Sequence, residues 1–435
     1  MAASSKSNGL VDPITAFDPA NSSGPLLFSP IIINGVRLEN KVWLPAMVTW
    51  LSQDGTVTDD IRQRYLRFAR GEPGMIVLEA TGIHEVHSGP LLRISNDSYI
   101  PGLRDLVREM HDVSPSKVVL QIIHFLKIAT RNPNQYLERL GRKDLIGKPE
   151  EVVKEYLSAR QFDDYCRGYR QRVEDLDSAS IQQLPGLFAQ AARRARQSGF
   201  DGVELHMAHA YTLASFLSKL SNRRTDEYGK DRLKLPLEVI RAVRAEVGND
   251  YLVGVRFLGD EAVTGGNTLD DTRLIGVAFA KAGMDFLSIS RGGKFEDAKR
   301  PKMGEAAYPY TGKSGEACMP NHKMPAGSNI HLAAGIKKAV NASGYFIPVV
   351  GSGKINNFEM AELILREGKA DINGMARSLL CDPDWTRKVR DGRQPDIRQC
   401  DYKSVCELLY DQRHYKVVCK MWGGLRHAGR VHPPG

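Results

Sequence analysis

The 435-residue sequence is poor in cysteine, has no long apolar run and shows no glycine-rich nucleotide-binding fingerprint after its first apolar segment. Six scattered cysteines do not form the disulfide framework of a small secreted domain, so we expect reduced thiols. No stretch approaches the roughly 20 apolar residues of a membrane helix, and the N-terminus lacks the apolar region of a secretory signal. These absences predict a soluble, cytoplasmic protein with no membrane partner.

The charge of the chain is positive but evenly spread. It has 60 Lys and Arg against 51 Asp and Glu, a formal charge of +9. The basic residues are interleaved with acidic ones instead of forming one block, which is typical of solvated surface. We therefore predict a small-molecule substrate and no nucleic-acid partner, and the sequence leaves open whether the protein is a homo-oligomer.

Eight short apolar or β-branched segments recur along the chain with helical segments between them. The segments are 42–47, 75–81, 118–124, 202–208, 252–257, 286–290, 348–353 and 372–377. Apolar runs without strict alternation are typical of parallel strands buried on both faces. Eight β/α alternations predict an α/β fold, a single (β/α)8 TIM barrel with its active site at the C-terminal ends of the strands. A doubly wound sheet, the alternative, normally has a glycine-rich turn after its first strand, and none follows Met47.

The lengths of the connections predict how the chain is divided. We expect a flexible leader over residues 1–25, the barrel over 26–385 and a short C-terminal extension over 386–435. An inserted helical segment is expected at about 131–176 and a lid-like loop at about 291–330, since both connections are too long for simple crossover helices. Such loops often select the substrate, and a surface decoration or an oligomer contact is the alternative.

Three polar residues follow the fourth predicted strand, where the mouth of the barrel would lie: His206, His209 and Tyr211. Two neutral imidazoles can donate hydrogen bonds to an oxygen that develops negative charge, and a phenol can release a proton late in a reaction. The alternative is that both histidines are structural.

A metal-dependent hydrolase is a further alternative, because His84, His87 and His124 end the second and third strands and could join His206 and His209. Such a barrel normally also takes ligands from its first and last strands. Neither of those predicted strands contains His, Asp or Glu, and we predict no metal.

Two more patterns indicate a bound anion. Gly351 and Gly353 after the seventh strand, with Arg377 after the eighth, stand where many barrels bind a phosphate, although the glycines could merely form tight turns. Gln121 and Arg256 end the third and fifth strands in apolar surroundings. Burying a strand arginine is costly unless it meets an anion, and an internal ion pair with Glu79 or Glu204 is the alternative.

These residues stand within longer motifs. The motifs are LFSPIIINGVRLENKVWLPAM (27–47), GMIVLEATGI (74–83), GFDGVELHMAHAYTLASFLSKLSNRRTDEYGK (199–230), VGVRF (253–257) and ADINGMARSLLCDP (370–383). From about residue 26 to 385 the sequence thereby resembles the Old Yellow Enzyme family of FMN-dependent NADH:flavin oxidoreductases and ene-reductases, in particular its dienoyl-CoA reductase branch. The run HxxHxY followed by FLSxxSNxRTDEYG is highly specific.

The resemblance implies an FMN-binding barrel that takes hydride from NADPH or NADH and reduces the C=C bond of an α,β-unsaturated carbonyl compound, such as an enone. His206 and His209 would bind the substrate oxygen, and Tyr211 would protonate the carbon beside the activating group. Gln121 would bind the pyrimidine edge of the flavin, and Arg256 would stabilise negative charge on the reduced flavin. The other cofactor contacts would come from Pro45, Ala46, Met47, Ala80, Gly353, Lys354, Ala376 and Arg377.

The pocket and the insertion depart from the family pattern. Val48 stands where Thr or Cys is common and cannot offer a polar hydrogen to the flavin. Trp50 stands where small ene-reductases often have a substrate-capping Tyr, so we assign Trp50 to substrate binding. The insertion at 131–176 is longer than in compact members. A diverged flavin-binding barrel without ene-reductase activity is therefore a further alternative.

The C-terminal extension departs as well. The dienoyl-CoA reductase branch has four cysteines here that ligate an iron–sulfur cluster and begin with a C-x2-C motif, and this chain has Cys400, Cys406 and Cys419 with Lys403 where the second thiolate would be expected. Because an ammonium group cannot ligate iron, we expect a degenerate site, and a metal completed by another residue is the alternative. We also expect no C-terminal FAD and NAD(P)H domain, since the chain has too few residues left to form one.

Overall fold

The computed structural model describes residues 24–85, 91–126, 133–299, 308–406 and 417–422. Nearly all of the predicted leader lies outside these ranges, as do parts of the lid-like loop and of the C-terminal extension. No helix in the described ranges is long and apolar enough to cross a membrane.

Eight parallel strands close into a barrel. They are β3 (Val42–Leu44), β4 (Met75–Gly82), β5 (Lys117–Ile123), β6 (Gly202–Met207), β7 (Leu252–Leu258), β8 (Phe286–Ser290), β9 (Val349–Ser352) and β10 (Ile372–Gly374). Each strand pairs with the next along the chain, and β10 closes the barrel against β3. Every one of the eight predicted segments supplies a strand, and the predicted (β/α)8 barrel is confirmed.

A short antiparallel hairpin precedes the barrel and was not predicted from the sequence. It consists of β1 (Ile31–Ile33) and β2 (Val36–Leu38), joined by Asn34 and Gly35, which both have positive φ angles, 46° and 77°. Two such residues form the tight turn that matches the twist of a hairpin. Buried hairpin residues pack with Trp43 and Phe286, whose rings meet edge to face at 4.9 Å inside the barrel. The hairpin therefore covers the N-terminal end of the barrel.

Helices surround the strands. They are α1 (Asp59–Ala69), α2 (Ile100–Val113), α3 (Pro133–Arg139), α4 (Glu150–Tyr156), α5 (Ala159–Arg167), α6 (Ser178–Gln197), α7 (Thr212–Leu217), α8 (Glu227–Lys230), α9 (Lys234–Val247), α10 (Leu269–Lys281), α11 (Lys313–Cys318), α12 (Ile330–Ala342), α13 (Phe358–Arg366), α14 (Ala376–Cys381) and α15 (Trp385–Arg390). Their apolar faces form a large core with the outer faces of the strands.

The ends of two helices show how local chemistry sets their length. Helix α9 ends just before Gly248, which adopts a φ of 75°. Helix α6 begins at Ser178, because the Asp177 carboxylate accepts a hydrogen bond from the backbone N–H of Ser180 at 2.7 Å. That bond satisfies one of the free N–H groups at the helix start.

The two long connections lie on the C-terminal side of the barrel. Helices α3, α4 and α5 fall within 131–176 and form a small apolar cluster of their own around Leu137 and Val153. The connection at 291–330 contains α11, which delivers Cys318 and the residues after it to the barrel mouth.

Candidate active site

A cavity of about 1300 Å³, including its open mouth, lies at the C-terminal end of the barrel and is lined from all eight barrel strands or the loops that follow them. The structure brings together there nearly every residue predicted for cofactor or substrate. They are Pro45, Ala46, Met47, Ala80, Gln121, His206, His209, Tyr211, Arg256, Gly353, Lys354, Ala376 and Arg377. Trp50 is not among the lining residues, whereas Val48 is, so the substrate role of Trp50 stays a prediction.

Strand register explains why the polar groups converge. Gln121 lies opposite Glu204, and two residues further along His206 lies opposite Arg256, which in turn lies opposite Ser288. Side chains alternate between the two faces of a strand, so these residues share the face that points into the barrel. The interior of the barrel is therefore polar at the level of these side chains.

Gln121 and Arg256 are oriented by hydrogen bonds, Gln121 to a buried carboxyl group and Arg256 to two serine hydroxyls. The Gln121 amide donates to the Glu204 carboxylate at 2.6 Å, and burial raises the pKa of Glu204 while the Arg256 charge opposes that rise. Arg256 donates to the hydroxyl oxygens of Ser288 at 2.9 Å and Ser290 at 3.4 Å. Within the described residues Arg256 forms no ion pair at contact distance with a glutamate, and its side chain lines the cavity, although its charge also acts on the nearby Glu204 carboxyl.

The two histidines form a hydrogen-bonded chain. The backbone N–H of Ala208 donates to His206 Nδ1 at 3.3 Å, which places the His206 proton on Nε2. That Nε2 lies 3.3 Å from His209 Nδ1, and His209 Nε2 lies 3.1 Å from Ser290 Oγ. With His206 as donor and His209 as acceptor, each ring carries its one N–H on Nε2.

Both imidazoles are neutral at physiological pH. Burial, aided by the Arg256 charge, lowers the pKa of His206 to about 3. Burial also lowers the pKa of His209 well below its usual value, and His206 and Arg256 add to the effect. A neutral ring can donate from Nε2 without contributing a positive charge, so the pair can bind an oxygen but does not act as an acid.

Tyr211 stands at the start of helix α7, where its extended backbone turns the chain from the strand end into the helix. Its ring meets the His206 ring edge to face at 5.3 Å and the Phe125 ring at 5.1 Å. Its phenol is hydrogen-bonded to that of Tyr310, whose pKa burial raises above the usual value. The proton on Tyr211 is therefore held beside the histidine pair.

The region after β9 and β10 fits a phosphate. Lys354 Nζ donates to the carbonyl oxygens of Asn321 at 3.0 Å and of Met324, and Arg377 Nη2 donates to the Pro320 carbonyl at 2.8 Å. Neither cation forms an ion pair with a carboxylate of the described residues. Arg377 Nη1 and a nearby hydroxyl, Ser352 Oγ, are buried without a hydrogen-bond partner, as donors reserved for an anion would be.

Close packing of the backbone at Gly353 also fits a phosphate site after β9 and β10. Gly353 has a φ of 135°, and a Cβ atom there would lie 2.9 Å from Asn329. A residue with a side chain would therefore strain the backbone and displace its neighbour. Gly353, Lys354, Ala376 and Arg377 would hold the phosphate of FMN, with Pro45, Met47, Ala80 and Gln121 along the rest of the cofactor.

Some lining residues were not predicted from the sequence: Tyr308, Tyr310, Cys318 and Tyr402. The Tyr310 ring lies 5.4 Å from the His209 ring, and Cys318 Sγ lies 3.4 Å from His209 Nε2. The closely spaced tyrosines of the YPYTG segment were the available signal, since aromatic residues in a loop over an active face commonly contact the ligand.

The residues named for a metal-dependent hydrolase do not form a metal site in the described ranges, which contain no group of three or more His, Cys, Asp or Glu able to hold an ion. His84 and His124 stack with ring centroids 3.9 Å apart, and His124 Nδ1 is bonded to Thr212 Oγ1 at 2.8 Å. His87 lies outside the described residues.

The C-terminal cysteines pack into the protein without a described metal site. Cys419 is buried, and its thiol is hydrogen-bonded to that of Cys381 in helix α14. Cys406 lines the cavity, while Lys403, which stands where the second thiolate would be expected, is exposed. The Trp422 indole donates to the Leu380 carbonyl at 2.9 Å and ties the end of this segment to α14.

Comparison with known proteins agrees with this architecture. A model of the NADH:flavin oxidoreductase / NADH oxidase family matches residues 26–396. The chain is 32% identical over 383 residues to an NADH oxidase from Thermoanaerobacter brockii, covering 86% of this chain and 52% of that protein. It is 29% identical to an NADPH dehydrogenase from a Geobacillus strain, covering 83% and 92%. The chain thus spans about half the length of the first relative.

Two solved structures share the fold. The complex of 2-naphthoyl-CoA reductase with 2-naphthoyl-CoA superimposes with a TM-score of 0.71 at 22% identity, covering 91% of this chain and 56% of that one. Morphinone reductase in complex with tetrahydroNAD superimposes with a TM-score of 0.59 at 22% identity, covering 85% and 92%. At these identities the likeness concerns the barrel alone.

Proposed function

Since the chain belongs to the NADH:flavin oxidoreductase / NADH oxidase family, we propose that it binds FMN, takes hydride from NAD(P)H and reduces the C=C bond of α,β-unsaturated carbonyl compounds. The observation that carries the proposal is the convergence of two neutral imidazoles and a phenol on one wall of the cavity. When bound, FMN supplies the two-electron chemistry that links the nicotinamide to the substrate.

The histidine pair would bind the carbonyl oxygen of the substrate. Both side chains are buried, and the Nε2–H of His206 faces His209 Nδ1 while Nε2 of His209 faces Ser290 Oγ. The carbonyl oxygen would replace these partners and receive one N–H from each neutral ring. Hydrogen bonds to that oxygen withdraw electrons from the conjugated C=C bond and make the β-carbon electrophilic. Donors held in place in a site with little water stabilise the charge that develops on the oxygen at no reorganisation cost.

Tyr211 would complete the reduction by protonating the α-carbon. The resemblance first suggested this role, and the structure supports it by placing the phenol against the His206 ring. The hydrogen bond with Tyr310 gives Tyr211 a partner from which a proton can be regained. A phenol is acidic enough to protonate a carbanion-like centre yet stays protonated at neutral pH.

Arg256 and Gln121 would serve the cofactor in this proposal. Arg256 points a positive charge into the cavity beside the histidines, and Gln121 is oriented by Glu204. A fixed cation next to a group that gains electrons favours the reduced form. The guanidinium also helps keep both histidines neutral.

The proposal is tested by visible spectroscopy of the purified, FMN-loaded protein under anaerobic conditions. We expect the flavin absorbance to bleach with NADPH or NADH and to return when 2-cyclohexenone is added. Recovery with oxygen but not with the enone would contradict the proposal while leaving the cofactor assignment intact. Failure to bind FMN at all would contradict the cofactor assignment itself.

A double variant tests the histidine pair. In His206→Ala with His209→Ala, FMN should remain bound, but the long-wavelength charge-transfer band that phenols give with bound flavin should disappear. The two rings contribute the N–H donors that would hold the phenolate oxygen. A band that survives both substitutions would show that the pair is not the oxygen site.

A further inference from the structure

Tyr402, in the C-terminal extension, packs against both cations at the phosphate end of the cavity. Lys354 Nζ lies over its ring at 5.2 Å from the centroid, and the Arg377 guanidinium carbon lies over it at 4.8 Å. The side chain is 4% exposed and lines the cavity. One aromatic ring therefore contacts the two cationic side chains that follow the last two barrel strands.

The orientation of the ring is fixed from its other end. The Tyr402 hydroxyl lies 3.0 Å from Ser378 Oγ and 3.4 Å from the carbonyl oxygen of Ile355, and Ser378 Oγ donates to the same carbonyl at 2.6 Å. Ile355 follows Lys354, and Ser378 follows Arg377. Each cation is thus one residue away from a group that positions the ring.

The backbone at Tyr402 adopts an unusual conformation that places the ring in the cavity. Tyr402 has a φ of 53°. A residue with a Cβ atom adopts this conformation only when surrounding contacts hold it there. Here the contacts are the hydroxyl bonds and the two cations, which all lie in or beside the cavity.

An aromatic ring at this position can attract two cations without neutralising their charge. Two cations placed close together repel each other, and the negative face of a π-system attracts both. A carboxylate would also bring them together, but it would neutralise their charge and compete with a bound anion. With the ring as partner, the positive charge of Lys354 and Arg377 stays available to the cavity.

We propose that Tyr402 is a positioning residue of the cofactor site, which holds Lys354 and Arg377 at the phosphate end of the cavity so that the chain prefers a phosphorylated flavin to riboflavin. The proposal rests on the assignment of FMN and of its phosphate to these two residues, and it does not depend on the substrate that is reduced. It also gives the extension around Cys400 and Cys406 a role that requires no metal.

The test compares the affinities of the full chain, stripped of flavin, for FMN and for riboflavin, by quenching of flavin fluorescence. Tyr402→Leu should weaken FMN binding by roughly tenfold, since two partly desolvated cation–π contacts are lost, and leave riboflavin binding within about twofold. Tyr402→Phe keeps the ring but loses the hydroxyl contacts with Ser378 and Ile355, so its FMN affinity should fall less than that of the Leu variant. Lys403→Ala changes the exposed neighbouring residue and is the matched control.

A shape-preserving substitution separates the charge effect from packing. Pentafluorophenylalanine at position 402 fills nearly the same space, but its ring face is no longer negative, so its FMN affinity should fall as in the Leu variant. Equal loss of FMN and riboflavin affinity in the Leu variant would indicate a merely structural role. Unchanged FMN affinity with the fluorinated ring would overturn the proposal, even if the Leu variant failed to fold.

Discussion

Tyr211 and Tyr310 form a hydrogen-bonded pair of phenols, and the Tyr211 ring also meets the His206 ring edge to face at 5.3 Å. For Tyr211→Phe we expect enone reduction to slow by about 10² to 10⁴-fold, the usual contribution of a positioned proton donor. Flavin reduction by NADPH should be unaffected, because that half of the reaction needs no proton at the α-carbon. Stopped-flow absorbance resolves the two halves.

Tyr310→Phe is the matched control for that variant. It removes the other phenol of the pair but leaves Tyr211 in place, so the loss in enone reduction should be smaller. A larger loss in Tyr310→Phe than in Tyr211→Phe would assign the proton to Tyr310 instead. If flavin reduction by NADPH slows as much as enone reduction in either variant, the substitution has disturbed the pocket as a whole.

The residues of the site differ in how well the sequence alone could place them. His206, Arg256 and Gln121 sit at the ends of strands, and once a barrel is predicted, the direction and alternation of those strands bring the side chains to the mouth. Tyr310 and Tyr402 lie in long connections whose path follows from tertiary contacts and not from periodicity. Their contacts with His209 and with Lys354 could not have been derived from spacing.

At the level of the elements, the close contact between β7 and β8 depends on a glycine. A Cβ atom at Gly254 would lie 2.1 Å from the ring of Phe286, its register partner, which is wedged against Trp43. Gly254→Ala should therefore destabilise the protein by about 1 to 3 kcal/mol, the usual cost of overpacking a core. Urea denaturation at a fixed FMN concentration measures the difference.

Gly186 in helix α6 offers the opposite case. It is exposed, and a Cβ atom there would meet nothing within 4 Å. Gly186→Ala should stabilise the protein by roughly 0.5 to 1 kcal/mol, because alanine loses less backbone entropy in a helix. If Gly254→Ala and Gly186→Ala change the free energy of unfolding in the same direction, the contact of Gly254 with Phe286 is not what sets the effect of Gly254→Ala.

The elements also show where sequence patterns are sufficient. Barrel strands are apolar runs flanked by helical segments, so the alternation predicts them whatever their exact ends. The hairpin β1–β2 has strands of three residues, too short for an alternating pattern to stand out from a loop. Helix α6 shows where a pattern misleads: Pro185 is typical of a first helical turn, yet it lies inside the helix, which the side chain of Asp177 caps upstream.

For the whole molecule, buried histidines predict sensitivity to acid. Burial lowers the pKa of His84 and His209, and that of His124 and His206 to about 3. The unfolded chain takes up protons at these rings near pH 6.5 and the folded chain does not, so stability falls as pH drops below that value. Each such histidine lowers the free energy of unfolding by about 1.4 kcal/mol for every pH unit below about 6.5, until the pH reaches its pKa in the folded chain.

Buried Glu79 opposes this trend. Burial raises its pKa to about 7, although it accepts hydrogen bonds from the backbone N–H and hydroxyl of Thr49. The folded chain therefore binds this proton at a higher pH than the unfolded chain, and the contribution of Glu79 falls as pH rises from about 4.5 to 7.

The net effect should be a melting temperature that falls from pH 6.5 to pH 4.5, since the four histidines outweigh Glu79, Glu204 and Asp164, the carboxyl groups whose pKa burial raises. Thermal unfolding across this range at fixed, saturating FMN measures it. Replacing His124 by Gln should flatten the decline relative to the wild type, because a neutral amide binds no proton. A melting temperature that rises towards pH 4.5 would contradict the histidine assignment.

The hairpin β1–β2 also constrains how the reactants move through the protein. Because it covers the N-terminal end of the barrel, the cavity in the described part of the chain communicates with solvent through the opposite face. In the proposed reaction the nicotinamide and the acceptor would use this entrance in turn, and the spent nucleotide would leave before the acceptor arrives. Turnover would follow ping-pong kinetics, in which an excess of either reactant slows the other by occupying the wrong redox form of the enzyme.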